Sequence, residues 1–314
     1  MIIMIDSRAS RPARVLTAVL LGAAVLATSA CGPSGESSGD GTAIVVGAYP
    51  FQFAAERVAG DLAVVTNLLS PGSDGHDLEL SPRQVSAVAK ADLVVHQSGY
   101  QVALDEAITQ QQPPRVLDTG DFLDLLPAES SSDHDDAHDH GAYDPHVWLN
   151  PLNLAEIGSQ IARVLSEIDP DHSASYAANA ARLSEDLASL DDEFSTGLAN
   201  CRTDTFITNH AAFGYLADRY HLHQVGISGL STEAEPGPAR IAEVQQIARE
   251  HDLTTIFYEP AVSPKLAQTI ASDLGLQTDV LDPLETLSPQ SRGDDYLQVM
   301  TANLSSLRQA NRCQ

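Results

Sequence analysis

The chain is short of cysteine, short of basic residues, and without a long apolar run beyond its first thirty positions. Each shortage excludes something. Cysteine occurs only as Cys31, Cys201 and Cys313. No two of them are spaced as CxxC, which disfavours a cysteine-based zinc site. Lys and Arg total 17 against 43 Asp and Glu, for a formal net charge of −26. Phosphates would be repelled by that surplus, so nucleic acid is not an expected partner. A cationic cargo is compatible with it. The HExxH signature of a helical zinc protease is missing. No segment past the N-terminus is long and apolar enough to cross a bilayer.

What is present is a globular body. The 314 residues are 43% hydrophobic, enough for one large or two medium domains with a real core. The first 31 residues read as a targeting segment. Arg8, Arg11 and Arg14 form a basic head, and Val15 to Ala30 is apolar or small throughout. Cys31 follows Ser29-Ala30 and precedes Gly32, as in a bacterial lipoprotein signal whose Cys becomes the acylated N-terminus. Thr28 stands where such signals usually have Leu. The bland alternative is a cleaved signal peptide with an incidental Cys. Residues 32–41 are Ser/Gly-rich and read as a flexible tether. The expected location is therefore extracytoplasmic, held to the cell membrane by an N-terminal lipid. Cys201 and Cys313 remain as a pair in an exported chain, which suggests one disulfide rather than two free thiols.

Strands alternate with helices twice over, which implies βαβ units and parallel sheets. In the first half the expected strands are 43–48, 62–69, 93–96 and 116–118, separated by helices at 51–59, 82–90 and 102–111. In the second half they are 205–208, 224–227, 255–258 and 278–281, with helices near 212–220, 238–250 and 264–274. Between them Asp169-Pro170 reads as an N-cap followed by a first-turn proline. Tyr176, Leu183, Leu187, Leu190, Phe194 and Leu198 then recur at helical spacing. Thirty residues of helix would run roughly 45 Å. The expected architecture is thus α/β, with two Rossmann-like lobes (42–169 and 201–314) joined by one long rigid linker helix (170–200). Such a linker would permit little closure of the lobes.

Residues 133–140, Asp-His-Asp-Asp-Ala-His-Asp-His, hold no large apolar side chain. They read as a mobile loop whose His134, His138 and His140 capture metal weakly, or as a plain solvated loop.

Three histidines stand out by position. His76 follows the second strand, His146 follows the fourth strand and the His-rich loop, and His210 follows the strand 205–208. Open α/β sheets bind ligands beyond the carboxyl ends of their strands. A lone histidine is usually structural, but three at equivalent ends suggest Zn²⁺, which favours four ligands of N, S or O type. Asp282 and Glu285, after the last strand, are both candidates for the fourth. Glu259, at another strand end, either orients a ligating imidazole or binds nothing. His96 reads as a half-buried strand residue, and His172, His221, His223 and His251 as solvent-facing.

The Pro71-Gly72…His76 turn, Asp144-Pro145-His146-Val147-Trp148-Leu149 and His210-Ala211-Ala212-Phe213-Gly214-Tyr215 resemble the zinc and manganese binding proteins of ABC transporters, the zinc-uptake or TroA-like family. Glu235-Pro236, Phe257-Tyr258-Glu259 and the Asp295-Tyr296…Met300…Asn303-Leu304 piece match as well, so the resemblance spans nearly all of 42–313. It implies two α/β lobes on a rigid helix and metal ligands at His76, His146 and His210. A Pro-Leu-Glu piece supplies the fourth ligand in several zinc members, which points to Glu285; other members use the Asp matching Asp282. A His-rich loop and a His at the third position imply the zinc branch rather than a manganese-binding member. His76-Asp77-Leu78-Glu79 departs from the family's aromatic and Glu-Pro at that place, which leaves the local loop shape open.

The implied function is capture without chemistry. The chain, as a monomer and not an enzyme, would bind Zn²⁺ in the interlobe cleft and pass it to the membrane permease of an ABC transporter. Affinity should fall below about pH 6, where imidazole is protonated. A zinc hydrolase is the rival from another class, but a fourth protein ligand would close the position water needs. A surface adhesin is a third reading, since some members of the family were first described that way.

Overall fold

The computed structural model describes residues 41–128, 143–230 and 236–314. Cys31, the tether up to Asp40 and the histidines His134, His138 and His140 lie outside the described residues. In the first half, β1 (Thr42–Val46), β2 (Ala63–Asn67), β3 (Leu93–His96) and β4 (Val116–Asp118) form a parallel sheet in the order β2-β1-β3-β4. The helices α1 (Tyr49–Ala59), α2 (Pro82–Lys90) and α3 (Val102–Gln111) alternate with them. Central parallel strands are covered on both faces and read as continuous apolar runs. Ile44, Val45, Val46, Leu93, Val94 and Val95 are accordingly all buried. Local chemistry sets the helix starts. Ser81 accepts from the Gln84 backbone while Gln84 reaches back to Ser81, with Pro82 in the first turn of α2. Such a cap is worth about 1 kcal/mol.

Two long helices follow, α4 (Pro151–Ile168) and α5 (Ser173–Leu198). The expectation of a single helix from Asp169 onward needs correcting. A short 3₁₀ turn, Pro170–His172, precedes α5, and the Asp169 side chain makes no cap hydrogen bond. Its carboxylate instead accepts from His172 Nδ1 (2.6 Å) and the Tyr176 hydroxyl (3.0 Å). The helix α4 was not expected at all, although Asn150 caps it and Pro151 opens it. The apolar stripe expected of α5 is buried throughout. It packs on α1 and α4 from the first half.

The second half repeats the topology. Its strands β5 (Thr205–Thr208), β6 (His223–Gly226), β7 (Thr255–Tyr258) and β8 (Gln277–Val280) form a parallel sheet ordered β6-β5-β7-β8. The helices α6 (Gly214–Tyr220), α7 (Pro238–Glu250) and α8 (Lys265–Leu274) alternate with them, and α9 (Tyr296–Ala310) closes the chain. Strands β6 and β8 begin one residue earlier than expected, and α6 begins later. Helix α5 also packs on α6 and α9. Arg219 of α6 holds the buried Asp191 of α5 through two bonds of 2.9 and 2.6 Å. Cys201 and Cys313 are joined as a disulfide across 112 positions, fastening the segment after α5 to the segment after α9.

One core runs through both halves. It includes Phe51, Trp148, Leu187, Phe194, Phe206, Phe257 and Tyr296. A smaller core of Ile207, Val225, Val244, Ile256 and Ile270 serves the second sheet alone. Among the described residues no helix is long and apolar enough to cross a membrane.

Candidate metal centre

His76, His146, His210 and Glu285 come together, each offering one donor atom within 4.8 Å of the others. His146 Nε2 lies 3.3 Å from His76 Nε2 and 3.2 Å from Glu285 Oε1. Glu285 Oε1 lies 3.4 Å from His76 Nε2 and 3.6 Å from His210 Nε2. A tetrahedral zinc site with arms of about 2.05 Å has edges of about 3.3 Å. Four of the donor spacings therefore already match one coordination sphere. His210 Nε2 is buried with no hydrogen-bond partner among the described residues. An orphaned buried imidazole nitrogen is costly unless something else occupies its lone pair.

Each donor is aimed by its neighbours. Asp144 accepts from both the backbone N–H (2.9 Å) and Nδ1 (2.7 Å) of His146, which turns Nε2 inward. Tyr215 donates to the Asp144 carbonyl (3.0 Å), so the His210–Tyr215 segment braces the His146 turn. Gly214 is needed there, because a Cβ at that position would stand 2.5 Å from Asp144 Oδ2. Glu259, at the end of β7, accepts from His210 Nδ1 at 2.7 Å and also from the Asn209 amide. Glu259 thus takes the orienting role left open by the sequence. His76 sits in a turn where Asp74 Oδ1 accepts its backbone N–H (2.9 Å). Gln101 donates to both Gly47 and Gly75 carbonyls (2.9 Å each), tying that turn to the end of β1.

The loop bearing Glu285 is bound to the first half of the chain. Gly75 N–H donates to Glu285 Oε2 (2.9 Å) and Tyr49 N–H to the Glu285 carbonyl (3.0 Å). Gly72 N–H donates to Thr286 Oγ1 (3.0 Å), and Trp148 Nε1 to the Pro283 carbonyl (2.8 Å). Leu284 takes a left-handed φ of 61°, uncommon for a branched residue. Asp282 Oδ1 supports it by accepting the Leu284 N–H (2.9 Å). Asp282 is therefore a loop brace and stands outside the converging group. Burial pushes its carboxyl up to about 6.

The electrostatics fit a cation. Burial would lift the Glu285 carboxyl, but the three imidazoles hold it well below the usual carboxylate range. Burial would depress His146 and His210, but Asp144 and Glu259, each helped by Glu285, raise both above the ordinary imidazole value. The other histidines stand apart from the four donors, and His96, expected half-buried, is more deeply covered than that. His96 is buried against Asp105 (3.1 Å), and His172, His221, His223 and His251 are exposed. Sequence reasoning missed the Asp144 brace and the room provided by Gly75 and Gly214. Only Asp144, two positions before His146, carried a readable signal.

A two-sheet α/β protein with a buried three-histidine, one-carboxylate centre is a narrow class. The chain belongs to the family described as zinc-uptake complex component A, periplasmic, whose sequence profile matches residues 44–310. It is 37% identical over 276 residues to the zinc-binding lipoprotein AdcA of Streptococcus pneumoniae, covering 85% of this chain and 55% of that one. The chain thus spans about half the length of that relative. It is 33% identical to the high-affinity zinc uptake system protein ZnuA of Bacillus subtilis, covering 92% of this chain and 95% of that one. Among solved structures it is similar to the laminin-binding protein Lmb of Streptococcus agalactiae, described as bifunctional with adhesin and metal-transporting activity. The TM-score is 0.76 at 33% identity, covering 86% of this chain and 99% of that one.

Proposed function

We propose that the chain captures Zn²⁺ at His76, His146, His210 and Glu285 outside the cytoplasm and hands it to the permease of an ABC uptake transporter. One observation carries the reading: four donors lie within 4.8 Å of one another, four of their spacings near a tetrahedral edge, and one of them, the buried His210 Nε2, has no hydrogen-bond partner among the described residues. Three neutral imidazoles and one carboxylate leave a bound ion with a single positive charge. That suits a cargo held firmly but reversibly, with Asp144 and Glu259 behind the imidazoles more than offsetting the remaining charge. Four protein ligands leave no position for an activated water, so the arrangement favours carriage over hydrolysis. The charge surplus of Asp and Glu suits a cation carrier as well. Anchoring through Cys31 and the monomeric state belong to this proposal, as do the two-lobe division at 169 and 201 and accessory capture by residues 133–140.

The test is native mass spectrometry with calorimetry on the metal-stripped chain lacking residues 1–30, with Zn²⁺ and Mn²⁺ in competition. One tightly bound zinc per chain, not displaced by equimolar manganese, is the expected result. Preferential manganese binding would reassign the cargo, and turnover of an ester or peptide substrate by the zinc form would reassign the class.

A further inference from the structure

Tyr100 is a buried phenol with no account in the site described so far. Its ring meets His76 edge-on at 5.0 Å and lies 6.1 Å from His146. Its hydroxyl is buried without a hydrogen-bond partner among the described residues. A Cβ built on Gly75 would fall 1.7 Å from that hydroxyl and 2.9 Å from Glu285 Oε2. The hydroxyl and the outer carboxylate oxygen therefore share the space in front of Gly75. Oε2 already accepts the Gly75 N–H, while Oε1 faces the three imidazoles.

We infer that Tyr100 is a specificity-determining positioning residue: when the ion binds, its unsatisfied hydroxyl donates to the neighbouring Glu285 Oε2 beside the Gly75 N–H, so that the carboxylate binds through Oε1 alone. The inference rests on the proposed zinc cargo and adds how the site would choose it. A carboxylate can bind through one oxygen or two. Zinc accepts four ligands in a tetrahedron, whereas manganese and other hard cations favour six or more, often with bidentate carboxylates. Adding the Tyr100 O–H to the Gly75 N–H already on Oε2 removes the fifth ligand a larger coordination sphere would recruit. The phenol brings one O–H donor to the carboxylate oxygen it stands beside. Gly75 is the one residue type that leaves room for both oxygens, since any side chain would occupy their meeting place.

The experiment compares the wild-type chain with Tyr100→Phe, which keeps the ring against His76 and removes only the hydroxyl. Zn²⁺ and Mn²⁺ affinities are measured by chelator competition, and Co²⁺ is used as a spectroscopic substitute for zinc. Loss of an orienting bond should lower the zinc-to-manganese affinity ratio about tenfold. The visible bands of the Co²⁺ form should weaken as the centre moves from four towards five ligands. A variant with an unchanged ratio and an unchanged Co²⁺ spectrum overturns the inference. The wild type supplies an independent check in case the variant folds poorly. Isotope-edited infrared spectroscopy of the zinc form should show a carboxylate splitting of the one-oxygen kind; a two-oxygen splitting also overturns it. A wild-type chain that takes no zinc overturns the proposed cargo itself, whereas a zinc-binding wild type with an unaltered variant overturns this inference alone.

Discussion

His146 takes its carboxylate partner from two residues away, whereas His210 takes its own from a neighbouring strand 49 positions on. Both contacts are 2.7 Å from Nδ1, and both leave Nε2 facing the centre. The first half solves the orientation by a local turn, Asp144-Pro145-His146. The second solves it by sheet topology, because β5 and β7 are adjacent and end side by side. Different construction thus gives the same chemistry. The two imidazoles should consequently behave as equals towards a metal, however unequal their histories in the chain.

The severest challenge to that equality is removal of one nitrogen. His210→Ala should cost on the order of thousandfold in Zn²⁺ affinity, and His146→Ala about the same, by chelator competition. Deleting residues 133–140 should cost far less. Equal losses from the deletion would move the main site into that segment.

Acid probes both histidines together. Each is raised in the metal-free chain by its carboxylate partner, against the opposing pull of burial. A raised imidazole keeps its proton to higher pH, and that proton must leave before zinc binds. Affinity should therefore begin to fall above about pH 6.5, the ordinary imidazole value, and not only below it. One displaced proton corresponds to about 100-fold between pH 7.5 and 5.5. A flat titration over that window would contradict the assignment of imidazole ligands.

Neutralising the partners tests the orientation itself. Asp144→Asn and Glu259→Gln should each lower zinc affinity by about 10- to 100-fold. If only one does so, the two halves are not equivalent and the local or the topological solution is the weaker. The mildest change concerns the tie between them. Trp148→Phe removes one buried bond to the Pro283 carbonyl and should lower thermal stability by about 1 kcal/mol, with affinity nearly unchanged.

The same contrast explains what could be read from the sequence. Period and punctuation gave both sheets, because β-branched runs bounded by turns survive without tertiary context. Three histidines at strand ends were legible for the same reason. The helix α4 was overlooked although Asn150-Pro151 and the stripe Leu154, Ile157, Ile161 and Leu165 mark it. Asp169-Pro170 carries the stronger-looking start signal, but its carboxylate is drawn to His172 and Tyr176. Glu259 could be suspected but not assigned, since its partner is set by strand adjacency. Tyr100 could not be found at all: nothing in its own neighbourhood of the chain announces that it stands beside Glu285.

The bonds from Tyr49, Gly72, Gly75 and Trp148 to the Glu285 loop have a temporal meaning. The three imidazoles belong to stretches already made by residue 210, yet the carboxylate of the four donors, Glu285, comes well after them. Until that segment is joined to α1 and to the turn before His76, the three Nε2 atoms face one another without the carboxylate they share. Readiness to hold a dication therefore waits on the placing of Glu285, and a molecule folded without that loop in position would present three nitrogens and no shared acid.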